Sequence, residues 1–271
     1  MILIWLLLLI IIILSTYLLT QLITTILRIY TLKKLMDAHY IKTGKYLLFI
    51  VDLRDFVAKQ IYAPLLDNRL IHINDDTMLA KKVKDFYHQK HTIDILLHTC
   101  GGAIESSDAM IQTILSFRKI GTINMHVPVY AYSAGTLLAL SGTNLFMDPL
   151  SFLSPTDPQI TVNGYAYSSE VLAHILENKK ENIKISETTY LQALETKNLH
   201  NDNISTMKKI LLLNNVSGKN IEKIIDEFAS GKNPHHKPFD VAKMKSLGIN
   251  ILATVPENIS EMFYTYLKLV S

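Results

Sequence analysis

Tyr130-Ala131-Tyr132-Ser133-Ala134-Gly135-Thr136-Leu137, taken with Leu97-His98-Thr99-Cys100-Gly101-Gly102-Ala103 upstream, decides the reading of the fold. Each stretch follows a short apolar run of strand character and opens an apolar run of helical period, so both place small residues at a strand-to-helix turn. Strand and helix alternating in this rhythm imply parallel crossovers and an α/β fold. A serine in such a turn has two readings. Its hydroxyl can cap the following helix, or it can stand exposed among backbone N–H groups that the helix leaves unused, which suits a nucleophile beside an oxyanion site.

Outward from these turns, Tyr46 to Val51 and Ile93 to Leu97 read as buried strands, and Met125 to Tyr130 as the strand that delivers Ser133. Asp75-Asp76-Thr77 caps an amphipathic helix with Met78, Leu79, Val83 and Phe86 on one face, and a further helix spans Ile104 to Phe117. Helices are expected between Ser168 and Ser230, with apolar faces at Val171, Leu172 and Ile175, at Tyr190, Leu191 and Leu194, and at Ile210 to Leu213. The amphipathic closing run, Ile259 to Val270, is expected to pack on the core rather than on a neighbouring subunit or a membrane surface.

The chain begins differently. From Ile2 to Leu27 no residue is charged and Leu and Ile dominate, and a run of about 20 apolar residues suffices to cross a bilayer core. The run lacks a basic start and an Ala-x-Ala cleavage site, and it is too long for a secretory signal, so it reads as an uncleaved anchor. Arg28, Lys33, Lys34, Lys42 and Lys45 follow it, which places the remainder in the cytoplasm by the positive-inside rule; this basic flank either is solvated or rests on anionic lipid. The organisation expected is therefore an anchor over 1–30, a helix-like connector over 31–45 and a globular domain over 46–271. A single Cys, Cys100, excludes an intrachain disulfide. A net charge of +3 and the absence of basic-aromatic interleaving or a Walker-type loop give no reason to expect nucleic acid or nucleotide.

Three blocks, Leu97 to Ala103, Val127 to Leu140 and Phe146 to Gln159, resemble the serine dehydrogenase proteinase family in order and spacing. That family belongs to the Clp protease/crotonase superfamily and is similar to the signal peptide peptidase A and stomatin-protease groups. The resemblance runs from about Tyr46 to Val255. It implies a Clp/crotonase-like parallel-sheet domain, Ser133 as nucleophile, and an oxyanion hole from the Gly101-Gly102 turn with the N–H of Ala134. It also implies homo-oligomerisation, a peptide or membrane-protein substrate and no cofactor. Cys100 stands where the family carries proline and is expected to be a small, partly buried side chain. His98 is expected to be structural, ending a strand beside the oxyanion turn.

A serine hydroxyl needs a base. Where the soluble Clp proteases carry their His, this chain has Ser154-Pro155-Thr156-Asp157-Pro158, and the stomatin-protease lysine aligns near Glu170. Lys179 and Lys180 are alternative bases, but they lie roughly 13 Å further along a helix that rises about 1.5 Å per residue. Gly231-Lys232-Asn233-Pro234-His235-His236-Lys237-Pro238 resembles the family's closing block; His235 matches its His, and His236 stands where the family has Asp. A neutral His suits general-base work, and Asp157 can orient it by triad logic. The pair His235-His236 reads alternatively as structural. Metal binding is not expected, because successive side chains diverge and no further ligand cluster supports them. Asp148, in an Asp-Pro pair, reads as a turn residue.

The expectation is a membrane-anchored serine peptidase that contacts lipid through residues 2–27. Two alternatives stand beside it: a crotonase-like acyl-thioester enzyme, which holds its oxyanion with backbone N–H groups and needs no serine, and a non-enzymatic membrane scaffold.

Overall fold

The computed structural model describes residues 2–52, 62–87, 91–162, 165–171, 174 and 187–270. A five-stranded, all-parallel sheet ordered β2-β1-β3-β4-β6 forms the centre, from β1 (Tyr46–Val51), β2 (Leu70–His72), β3 (Thr92–His98), β4 (Thr122–Val127) and β6 (Asn144–Met147). Side chains alternate across the pleat, so the near-continuous apolar run of β1 feeds two cores at once. Leu47, Phe49 and Val51 join Leu96 on one face; Leu48 and Ile50 join Ile95 and Leu97 on the other.

The second of these faces carries the crossover helices α2 (Asp76–Tyr87), α3 (Ile104–Phe117) and α4 (Ala134–Ser141), which bury Leu79 and Val83, Met110, Ile111 and Ile114, and Leu137 to Leu140 respectively. The first face is covered by the C-terminal third of α1 (Ile2–Thr43) and by α8 (Glu257–Val270). Ile29, Leu32 and Met36 of α1 interlock there with Ile259, Met262, Phe263, Tyr266 and Leu269 of α8, so the closing helix packs on the core as expected. The stretch read as a connector is thus a continuation of the α1 helix to Thr43, and its apolar side is buried.

Before Ile29 the same helix is bare: the large apolar residues from Ile4 to Leu27 are exposed, and the stretch is long and apolar enough to cross a membrane. Four of its hydroxyls need no water. Ser15, Thr16, Thr20 and Thr24 donate to the carbonyls of Ile11, Ile12, Thr16 and Thr20 at 2.6–2.8 Å, which satisfies each within the helix.

A second, smaller sheet positions the chemistry. The strand expected over Met125–Tyr130 is in fact two: Pro128, with no N–H to give a ladder, follows the end of β4, and the chain re-pairs as β5 (Tyr130–Ala131). β5 lies parallel to β7 (Phe152–Leu153), which pairs antiparallel with β10 (Phe239–Asp240). A hairpin of β8 (Gln159–Val162) and β9 (Tyr165–Ser168) follows β7. The helices α5 (Glu187–Leu213), α6 (Gly218–Phe228) and α7 (Val241–Ser246) follow. Along α5, Met207, Ile210 and Leu211 are buried, whereas the apolar face of Tyr190, Leu191 and Leu194 is exposed. Leu172 and Ile175 lie outside the described residues.

Candidate active site

Ser133 leaves β5 and enters α4 with φ 55° and ψ −123°, a conformation sparsely populated for any residue but glycine. It occupies the N-cap position of α4, yet its side chain makes no capping hydrogen bond. Strain of this kind, about 1–3 kcal/mol, persists only where neighbours over-determine the backbone. Here they do. Tyr132 N–H donates to the Thr99 carbonyl at 2.9 Å, Ser133 N–H to Ser154 Oγ at 2.9 Å, and Gly135 N–H to the Tyr132 carbonyl at 2.8 Å. The buried Thr136 hydroxyl lies 2.8 Å from the Ala131 carbonyl and 2.9 Å from that of Ser154, and it accepts from Ser154 N–H at 3.1 Å.

The Gly-Gly turn after β3 closes against this elbow. Gly101 has φ +115°, and a Cβ built there would stand 2.8 Å from Ser133 Cβ; one built on Gly102 would meet Asn74 Oδ1 at 2.3 Å. Only glycine lets the turn approach so closely. Most N–H groups of the turn are engaged: Cys100 to Asp52 Oδ2, Gly101 to Thr99 Oγ1 at 3.0 Å, and Ala103 to Asn74 Oδ1 at 2.6 Å. The N–H of Gly102 and that of Ala134 donate to no protein acceptor among the described residues. Both residues line one cavity of about 250 Å³ with Ser133.

His235 and Asp157 line the same cavity. Each reaches it from an end of the small sheet: Ser133 follows β5, Asp157 follows β7 and His235 precedes β10. Asp157 is fixed from behind, because its neighbour Thr156 donates its N–H to the Phe228 carbonyl at the end of α6 at 2.6 Å. His235 Nδ1 lies 2.9 Å from Asp157 Oδ1, and Gln159 Nε2 donates to Asp157 Oδ2 at 2.6 Å. A carboxylate only accepts, so Nδ1 carries the proton and Nε2 is left with its lone pair. Ser133 Oγ makes no hydrogen bond to His235 among the described contacts; such bonds commonly close only when substrate is bound.

Of the other residues singled out in the sequence, the described ones do not line this cavity. His98 lies between Tyr130 and Phe263, tilted against the first and edge-on to the second, with ring centroids 4.3 and 4.9 Å away. His236 is exposed and meets His235 edge-on. Cys100, expected to be partly buried, is exposed, because its backbone N–H is tied inward to Asp52 and the thiol is left outside, 3.7 Å from the Tyr130 hydroxyl. Asp148 turns the chain, its carbonyl accepting from Ser151 N–H at 2.9 Å. Lys179 and Lys180 lie outside the described residues. Gln159, Ser154, Thr136, Asn74 and Asp52 escaped the sequence reading. The only signal available for Asp52 was a carboxylate directly after the apolar strand β1.

A parallel-sheet domain with a strained serine, a histidine–carboxylate pair and two unengaged backbone N–H groups around one cavity has the parts of a serine hydrolase. The match of the whole chain, residues 1–271, to the model of the ClpP-like SDH-type serine proteinases makes it a member of that family. Two uncharacterized proteins of Methanocaldococcus jannaschii are similar to it: one is 28% identical over 201 residues, covering 73% of this chain and 64% of the relative. The other is 23% identical over 198 residues, covering 73% and 66%. The chain thus spans a little under two thirds of the length of these relatives. A serine-to-alanine mutant of the 1510-N membrane-bound stomatin-specific protease overlays with a TM-score of 0.49 at 14% identity, over 82% of this chain and 83% of that one, a likeness too loose to carry a functional argument.

Proposed function

We propose that the chain is a membrane-anchored serine endopeptidase whose nucleophile is Ser133. The observation that carries the reading is the convergence on one cavity of a serine in a strained elbow and a His235–Asp157 pair whose Nε2 is unclaimed among the described residues. In this scheme His235 Nε2 takes the hydroxyl proton as Ser133 Oγ attacks the peptide carbonyl. The oxyanion draws on the N–H groups of Gly102 and Ala134, which act where charge develops. Gly101, whose N–H already serves Thr99, supplies the close approach instead of a donor.

The C–N bond then breaks as His235 returns the proton to the leaving amine, leaving an acyl-enzyme on Ser133. Water, deprotonated by the same nitrogen, attacks the ester and releases the acid, and Ser133 regains its proton. Asp157 holds the imidazole tautomer and stabilises the imidazolium throughout, and Gln159 holds Asp157. The anchored reading rests on the exposed apolar length of α1, and the basic residues Arg28, Lys33, Lys34, Lys42 and Lys45 after it support a cytoplasmic domain. Substrates on this reading are peptides or membrane-protein segments near the bilayer, met by an oligomer of the chain.

The test is fluorophosphonate labelling of the detergent-solubilised full chain, with the adduct located by peptide mass spectrometry. An adduct on Ser133 that disappears in Ser133→Ala and forms at least about a hundredfold more slowly in His235→Ala is expected. Wild type that is folded but unlabelled would return the protein to the scaffold or crotonase-like alternative.

A further inference from the structure

Two further carboxylates line the cavity that holds the catalytic groups. Asp108 projects from α3 and Asp202 from α5, and both line the space bounded by Ser133, Leu137 and His235. Among the described residues neither carboxylate takes part in an ion pair or a side-chain hydrogen bond. Asp157 in the same cavity accepts two. Among the described residues no lysine or arginine belongs to the lining, although the chain as a whole carries a net charge of +3. Burial pushes the Asp108 carboxyl upward, and the negative charges of Asp202 and Glu105 push it the same way. The cavity is therefore an unfavourable place for its own charges.

The apolar lining completes the recognition chemistry. Ile104, Leu137 and Leu199 offer surface to an aliphatic stem, and the carboxylates offer counter-charge to its head. About 250 Å³ is less than the roughly 300–1,000 Å³ that takes a whole small ligand, and it suits one side chain of a larger one. We propose that Asp108 and Asp202 form a specificity subsite beside Ser133 that selects a lysine or arginine side chain next to the scissile bond. The inference rests on the serine-peptidase reading of the same cavity and adds its substrate class.

Two matched probes, peptidyl diphenyl phosphonates ending in lysine or in leucine, test it on the solubilised full chain. The fluorophosphonate adduct on Ser133 reports the catalytic centre independently in each protein. The lysine probe is expected to inactivate wild type at least about tenfold faster than the leucine probe. That preference should shrink at high salt, because the carboxylates are partly exposed. In Asp108→Asn/Asp202→Asn it should collapse towards unity, and in Asp108→Lys it should pass to a glutamate-ended probe. A fluorophosphonate adduct without any preference for the lysine probe, or a preference that survives the double Asp→Asn change, overturns the subsite and leaves the peptidase reading standing. Failure of all the probes on folded wild type overturns the peptidase reading and the subsite with it.

Discussion

Among the described residues, two histidine–aspartate pairs have the same length. His235 and Asp157 meet at 2.9 Å at the cavity, and His39 and Asp94 meet at 2.9 Å between α1 and β3. The difference lies on the far side of each imidazole. The His235 side chain is 14% exposed and opens on the cavity, whereas the side chains of His39 and Asp94 are each 3% exposed. His39 Nδ1 faces Asn258 Nδ2 of α8 at 2.9 Å, and Asp94 also receives Asn124 Nδ2 at 2.6 Å, so the second pair is closed on itself. Contact with a carboxylate orients an imidazole wherever it sits. Only an unclaimed nitrogen facing a space makes it a base. The closed pair is a clasp instead: it joins the helix that leaves the domain to the middle of the sheet.

This contrast can be broken by experiment. The largest effect is expected from Asp157→Asn, which keeps the shape but favours the wrong imidazole tautomer: the fluorophosphonate labelling rate should fall by roughly 10³–10⁴ with the melting temperature little changed. The corresponding change in the clasp, Asp94→Asn, should do the reverse. Breaking a buried pair by altering one partner costs about 3–5 kcal/mol, seen as a lower denaturant midpoint with labelling of the folded fraction preserved. A rate loss without a stability loss at Asp94 would erase the distinction.

The clasp should also be acid-labile. Burial raises the Asp94 carboxyl, but the nearby imidazole of His126 and hydrogen bonds from His39 and Asn124 outweigh it and hold the group well below the ordinary carboxylate range. His126, 3.3 Å away, is pushed down by burial. Both folded values lie below their unfolded ones, so both contribute stability that is present at higher pH. Loss is expected to begin as pH falls through about 6.5, where unfolded histidine takes a proton, and to steepen below about 4. Asp94→Asn should remove the lower part of that slope in denaturant titrations across pH. The smallest effect is expected from Gln159→Ala, which takes one hydrogen bond from Asp157 and should slow labelling roughly tenfold; no change would show that the carboxylate is held without it.

The parts of this architecture written in local pattern were legible. The run Tyr46 to Val51, the Gly101-Gly102 turn and the uncharged Ile2–Leu27 stretch each carry a period or a composition that points to one structure. The small sheet was not legible, because strands of two residues, such as Phe152–Leu153 and Phe239–Asp240, are too short to show any period, and Pro128 hides the break that creates β5. His235 and Asp157, 78 positions apart, were brought together by resemblance, not by pattern. The clasp went unread altogether. His39, Asp94 and Asn258 are single polar residues in three separate elements, and only the packed sheet makes them neighbours.

The unbroken course of α1 has a mechanical consequence. At about 1.5 Å per residue its 42 residues measure roughly 63 Å, and a bilayer core takes up about 30 Å of that. The rest is not a stalk, since burial begins at Ile29 and Arg28 already donates to the Lys268 carbonyl at the end of α8. Seated in a bilayer by its bare stretch, the domain would ride flush on the surface with no slack to swing or tilt. Its encounters would then be lateral ones, in two dimensions, with chains that leave the lipid at the height of its cavity mouth.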